Sequence, residues 1–383
     1  MQKKLLSLAV ATAMAAPAAV LADATLYGKA HVSIDFVEQF ASLTTTGSDG
    51  TETTTTTSQE GWGLSKGGPS GKGNPRASRI GVKGSEKFGG GGLKAIYQIE
   101  FDVALTNERD YDLFDGDAGN NNQGSAIKMR NSYVGLQGGW GTFLIGRHDT
   151  PLKTSTSKLD LFNDRMADYQ GTLDFNDVRA DDTITYITPD FGGFQFAAAA
   201  IPGGAGRLDN ENDNVNLGLA EAYSLAAIYK NGPWYGSAAY QVVGDQLQET
   251  ASAQDAEDYK TLRVGLGIRD LGGFYLSGIY EKQESIDFNT TPENDADLWQ
   301  VQAGYKFGKS MLKGMYGVKG LNLSDAKNAE SEKDKSSWAV GLDHSFTKRT
   351  TAYALYTAVD VDDDVDKDLG DWSGFSLGII HNF

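Results

Sequence analysis

No cysteine occurs among the 383 residues, so no disulfide holds this fold and packing and backbone pairing must do so alone. Basic residues are outnumbered, 34 against 51 acidic, and a net charge of −17 argues against nucleic-acid binding, which needs basic surface. Beyond residue 22 there is no apolar run of about 18 residues, which excludes a membrane-spanning helix. Histidine is limited to His31, His148, His344 and His381. None of these lies in a catalytic motif; His148 and Asp149 are neighbours in sequence, which does not make a triad. The reading is therefore of a protein that is not an enzyme. The acidic run Asp360 to Asp368 lacks the glycine and closing glutamate of a calcium loop, so no metal site and no cofactor are expected.

What is present is glycine (47 residues), aromatic side chains (17 Phe, 17 Tyr, 6 Trp) and little proline (8). Helical periodicity is nearly absent, and short alternating runs dominate, which points to an all-β chain. The start is different. Lys3 and Lys4, an apolar run from Leu5 to Val20 and the small-residue site Val20-Leu21-Ala22 have the form of a cleaved secretory signal peptide. The expected organisation is a signal peptide over 1–22 and one domain over 23–383.

The first run of that domain reads LYGKAHVSIDF. Leu26, Gly28, Ala30, Val32, Ile34 and Phe36 share one face; Lys29, His31, Ser33 and Asp35 share the other, as in a two-faced strand. A Thr-, Gly- and Ser-rich region over 41–74 follows. It has too little apolar surface to order itself and is expected to be a mobile external loop. From Pro75 a unit repeats: strand, tight Gly-rich turn, strand, long polar loop. Sixteen strands of about ten residues result, with seven short turns on one side and eight longer loops on the other. Short turns, long loops and an even strand number predict a 16-stranded antiparallel transmembrane β-barrel of the outer-membrane type, its turns periplasmic and its loops external. Leu262, Val264, Leu266 and Ile268 oppose Arg263 and Arg269 in one such strand. A barrel with a polar interior would turn the first set to lipid.

One connection differs from the others. Between Arg147 and Arg179 the chain reads RHDTPLKTSTSKLDLFNDRMADYQGTLDFNDVR, and a segment of this length between strands is usually functional or disordered. Asp160 and Asp164, four apart, would share one side of a helical turn. Asp174 and Asp177 read as generic loop charge.

Taken together, TLYGKAHVSID, SRIGVKGSE, RNSYVGL with GTFLIGRHDTP, KLDLFND and the final Phe383 resemble the Gram-negative general (trimeric) porin family. The resemblance implies a homotrimer surrounded by outer-membrane lipid and lipopolysaccharide, passing small hydrophilic solutes and ions. It also implies that the third external loop, here 148–178, folds into the lumen as a constriction. Matched residue by residue, the basic wall of that constriction would be Lys29, Arg79, Arg130 and Arg179, set against Asp160 and Asp164 on the loop. Arg147 and Asp168 are secondary candidates. Strand parity agrees for Lys29, Arg79 and Arg179. The acidic balance suggests mild cation selectivity, and the alternative to a channel is a barrel acting as an adhesin or structural protein through its loops.

Overall fold

The computed structural model describes residues 24–46, 52–65, 78–88, 91–106, 127–203, 218–244, 247, 258–284, 294–323, 334–362 and 370–383. The expected signal peptide, the polar loop after residue 106 and most of the acidic run 360–368 lie outside them.

A single antiparallel sheet closes on itself. Its segments are β1 (Thr25–Thr46), β2 (Glu52–Leu64), β3 (Arg79–Lys87), β4 (Lys94–Val103), β5 (Ile127–Met129), β6 (Ser132–Gly138), β7 (Gly141–Asp149), β8 (Arg179–Ile187) and β9 (Phe194–Ile201). They continue as β10 (Ala222–Asn231), β11 (Trp234–Val243), β12 (Tyr259–Leu271), β13 (Phe274–Glu284), β14 (Asn294–Phe307), β15 (Ser310–Leu323), β16 (Lys335–Ser345), β17 (Thr350–Val361) and β18 (Trp372–Asn382). Closure is made by β1 and β18, paired from Lys29↔Asn382 to Gln39↔Trp372. Gly28 and Phe383 add reciprocal backbone bonds of 3.0 Å.

These segments fill sixteen places in the wall. β2 and β3 pair with the later and earlier parts of β1, and β5 and β6 both pair with β4. The break between β5 and β6 falls at Arg130-Asn131, which explains why MRNSYVGL does not alternate cleanly. The expectation for 41–74 needs correction. Pairing runs from Phe40↔Ser58 out to Thr46↔Glu52, so much of the Thr-rich region is a hairpin extending β1. Backbone pairing between β-branched residues orders it where apolar burial could not.

The wall is inside out relative to a soluble protein. On β12, Leu262, Val264 and Leu266 are 42, 36 and 64 % exposed, whereas Arg263 among them is 0 % exposed. On β14, Trp299 and Val301 are exposed while Gln300 and Gln302 are buried. On β1 the buried set is Lys29, His31, Ser33 and Asp35, with Leu26 and Ile34 exposed. An apolar belt around the whole ring far exceeds what a water-facing surface tolerates, and hydrocarbon is the solvent that matches it.

If that face meets hydrocarbon, Leu266→Arg near the middle of β12 should destabilise the barrel by roughly 2–4 kcal/mol. Urea titration of the protein folded into lipid vesicles reads this directly, and an unchanged midpoint would place that face in water.

Candidate functional site

Between β7 and β8 the chain turns into the barrel instead of away from it. Two short helices, α1 (Pro151–Thr156) and α2 (Tyr169–Leu173), bracket a run of turns. Thr150 caps α1 by accepting from the Lys153 N–H, and Pro151 occupies the first helical position, where its missing N–H costs nothing. Asp168 caps α2, accepting from the Gln170 N–H at 3.0 Å and from the Asp164 N–H at 2.8 Å. Helices this short are not stable alone, so docking must order them.

The docking is apolar beneath and ionic at the edges. Leu159, Phe162, Met166, Tyr169, Leu173 and Phe175 are all at most 2 % exposed. They meet Tyr235, Ile279 and Leu298 on one part of the wall, and Met315, Tyr353, Leu355 and Val359 on another. Wall glycines make room for them. A Cβ on Gly317 would stand 2.5 Å from Leu173 Cδ1, and one on Gly374 2.5 Å from Met166 Sδ. Part of the glycine abundance is thus a recess cut for this loop.

Among the edge contacts, the fully buried Arg263 is held by Glu281 and by Asp177, the latter at 2.6 Å. Its guanidinium also lies over the rings of Tyr169 and Phe175. Asp174 meets Lys319 at 3.3 Å and Lys335. Arg165 and Lys313 converge on Asp343 at 2.9 and 3.0 Å. Asp174 and Asp177 are therefore fastenings, not the generic loop charge expected of them.

The residues expected at the constriction separate into groups. Lys29 and Arg79 both meet Asp164, at 2.6 and 3.3 Å. They are neighbours in register across β1 and β3, so the loop touches the wall here and leaves no gap between them. Arg130 donates from Nε to Glu100 at 2.9 Å and lies 3.4 Å from Asp102. Arg179 is 2.9 Å from Asp149 and donates to Asn131 at 2.9 Å. Asp160 is not brought to this basic wall. It accepts from the Phe162 N–H at 2.8 Å and from Gln302 of β14 at 3.1 Å. The expected shared helical side does not exist, because residues 157–167 are turns and Asp164 has a left-handed backbone, φ 60°. Asp168, 1 % exposed, is occupied in capping. Arg147 pairs at 2.5 Å with Asp181, a wall residue, not with the loop.

Sequence reasoning missed the wall carboxylates Glu100, Asp102 and Asp149, which stand beside the arginines. It also missed Arg263 as an anchor, although an arginine on the inward parity of β12 was a visible sign.

The Gram-negative porin family model matches residues 6–364. This chain belongs to that family. The porin is 29 % identical to the major outer membrane protein P.IB of Neisseria meningitidis serogroup B over 358 residues, covering 92 % of this chain and 91 % of the relative. It is 26 % identical to the protein of the same name from Neisseria lactamica, with the same coverage. Among solved structures it is similar to an anion-selective porin from Comamonas acidovorans, with TM-score 0.64, 21 % identity and coverage of 94 % and 99 % of the two chains. It also resembles OmpF of Salmonella typhi, with TM-score 0.60, 19 % identity and coverage of 94 % and 97 %. These structural likenesses establish the closed barrel.

Electrostatically, the loop carboxyls of this porin fall into two kinds. Burial alone would push Asp164 up, but Lys29, Arg79 and Arg130 outweigh it and hold the carboxyl well below the usual range. Asp174 behaves likewise, with Lys335 and Lys319 overcoming burial. Asp160 is the reverse: burial pushes it up to about 6, against the Phe162 N–H, the Gln302 amide and Lys313. Burial and the nearby Asp160 push Asp168 well above the ordinary value.

Two outcomes follow from this arrangement. Arg263→Met leaves Glu281 and Asp177 buried without their cation, a loss of roughly 3–5 kcal/mol when one partner of a buried pair is removed. Proteolysis within 150–178 in the folded barrel should accelerate, and an unchanged cleavage rate would show that Arg263 does not hold the loop. Asp160, raised in the fold, contributes docking stability that is complete below the ordinary Asp value near 4 and is lost as pH rises through about 6. Current noise from loop motion should increase across that window, and Asp160→Asn should flatten the response; a variant with the wild-type profile would assign the titration elsewhere.

Proposed function

We propose that this outer-membrane porin forms a water-filled channel for passive diffusion of ions and small hydrophilic solutes. In this reading it is assembled as a homotrimer among membrane lipid and lipopolysaccharide, and performs no chemistry on what it passes. The observation that carries the reading is a charged loop docked inside an inside-out barrel: the wall supplies the passage and the loop reduces its width. Passage is then governed by pore width and by the charges lining it.

The lining supports mild cation selectivity. Lys29, Arg79, Arg130 and Arg179 each stand beside a carboxylate, drawn from Asp164, Glu100, Asp102 and Asp149. Local charge at the basic wall is therefore close to balanced, and the excess of acidic residues over the whole chain sets the sign. Arg79 and Asp102 keep the most side-chain exposure of these groups, 26 % and 32 %, and so offer the most contact to a passing ion.

Planar-bilayer recording tests both layers of the proposal. The expected result is stable conductance in groups of three steps, with a reversal potential in a salt gradient weakly favouring the cation; absence of an open pore would reject the channel. Asp164→Asn should shift the reversal potential towards chloride, because Lys29 and Arg79 lose their counter-charge, whereas Asp160→Asn should leave it nearly unchanged at neutral pH. A larger shift from Asp160→Asn would return that residue to the constriction.

A further inference from the structure

The basic residues that lie within the turns of the barrel are gathered in one place. The seven short connections are 88–93, 139–140, 188–193, 232–233, 272–273, 308–309 and 346–349, read between the strand ends. Their basic residues are Lys309, Lys348 and Arg349. All three fall in the last two turns, which border β14, β15, β16 and β17, consecutive in the ring. In a chain with net charge −17 this is a local reversal of sign.

The backbone joins these turns into one ledge. Ser345 N–H donates to Lys309 O at 2.8 Å, Asn382 N–H donates to Arg349 O at 2.8 Å, and Lys309 Nζ reaches Phe346 O at 3.5 Å. Lys309, Lys348 and Arg349 are exposed. Two of the four histidines sit on the same ledge. His344 continues the outward parity of Trp338, Val340 and Leu342, and His381 that of Leu377 and Ile379; all of these are exposed. Each ring is held through Nδ1 by a hydroxyl on the adjacent strand, Ser310 and Thr350 respectively, both at 2.9 Å.

Depth is marked by aromatics. Tyr305, Phe307, Phe346 and Phe383 are exposed at the same end, with His344 edge-on to Phe346 at 5.1 Å. Aromatic girdles lie at the level of lipid headgroups. The basic ledge therefore stands at that level on the turn side, with apolar wall directly beside it.

We propose that this ledge binds the phosphodiester headgroup of an anionic phospholipid in the leaflet facing the turns. Lys309, Lys348 and Arg349 supply the charge, and His344 and His381 present ring edges to the headgroup from the outward wall. The lipid chains run along the outward faces of β15 to β18, over Leu312, Leu342 and Ile379, each 43–51 % exposed. The partner is argued from charge complementarity, aromatic depth and the adjoining apolar face together. Proximity to an anionic surface is worth about five-fold in affinity for each basic side chain, so three acting together make a selective site.

The test uses the folded full-length protein in a neutral detergent, titrated with phosphatidylglycerol or phosphatidylcholine and read by native mass spectrometry. Phosphatidylglycerol should be retained about ten-fold or more tightly than phosphatidylcholine. The triple variant Lys309→Gln, Lys348→Gln, Arg349→Gln should lose that preference, while Lys87→Gln with Lys94→Gln at the first turn should keep it. Equal retention of the two lipids, or a triple variant that still prefers phosphatidylglycerol, would overturn the proposal. Displacement of bound lipid by millimolar inorganic phosphate would overturn it too, by showing a free-anion site. Unchanged conductance in the triple variant verifies that the barrel is folded.

Discussion

A chain that crosses hydrocarbon on strands must pair every backbone N–H and C=O around a ring, since nothing in the lipid can do so. The pairing of β1 with β18 is where that requirement is met or lost. It joins the first and last described strands over eleven register positions, from Lys29↔Asn382 to Gln39↔Trp372. Everything else in the structure presupposes it. Only a closed ring has an inside, and only with an inside can a strand place Arg263 out of solvent while Leu262 and Val264 face lipid.

Closure also explains how the third loop is kept. The interior of such a barrel is polar, yet Leu159, Phe162, Met166 and Leu173 are buried within it. The wall answers with a local apolar lining, Tyr235, Ile279, Leu298, Met315 and Tyr353, and with glycines beneath the bulkiest contacts. Ion pairs then fix direction: Arg263, Lys319 and Lys335 on one side, Lys29 and Arg79 on another. The loop behaves as a small second layer of core folded inside the first. Its charged groups are largely spent on attachment, and along the basic wall each cation stands beside a carboxylate.

Several departures from expectation have a common origin. The Thr-rich segment was expected to lack structure because it buries little, but β1 offers it a pairing edge. Asp160 and Asp164 were expected to act alike because they are four apart, but the chain between them is a run of turns, Asp164 itself is left-handed, and they point to different walls. Asp174 and Asp177 were expected to be solvated, but the residues that pair with them belong to strands β12, β15 and β16, far along the chain.

What the amino-acid order determined by itself is local or periodic. Alternation with period two set which face of each strand is apolar, the turn and loop rhythm set the strand count and the two ends of the barrel, and the motifs around Lys29, Arg79 and Arg130 marked the basic wall. These are legible because a strand's faces are decided by neighbours two residues apart. Only the tertiary structure decided the partner of each charge. Asp164 finds Lys29, Arg179 finds Asp149, and Arg263 finds Asp177, because closure of the ring and docking of the loop bring together groups that no sequence spacing relates. A buried charge is stable only with its partner in place, and that partner is chosen by the geometry of the closed barrel.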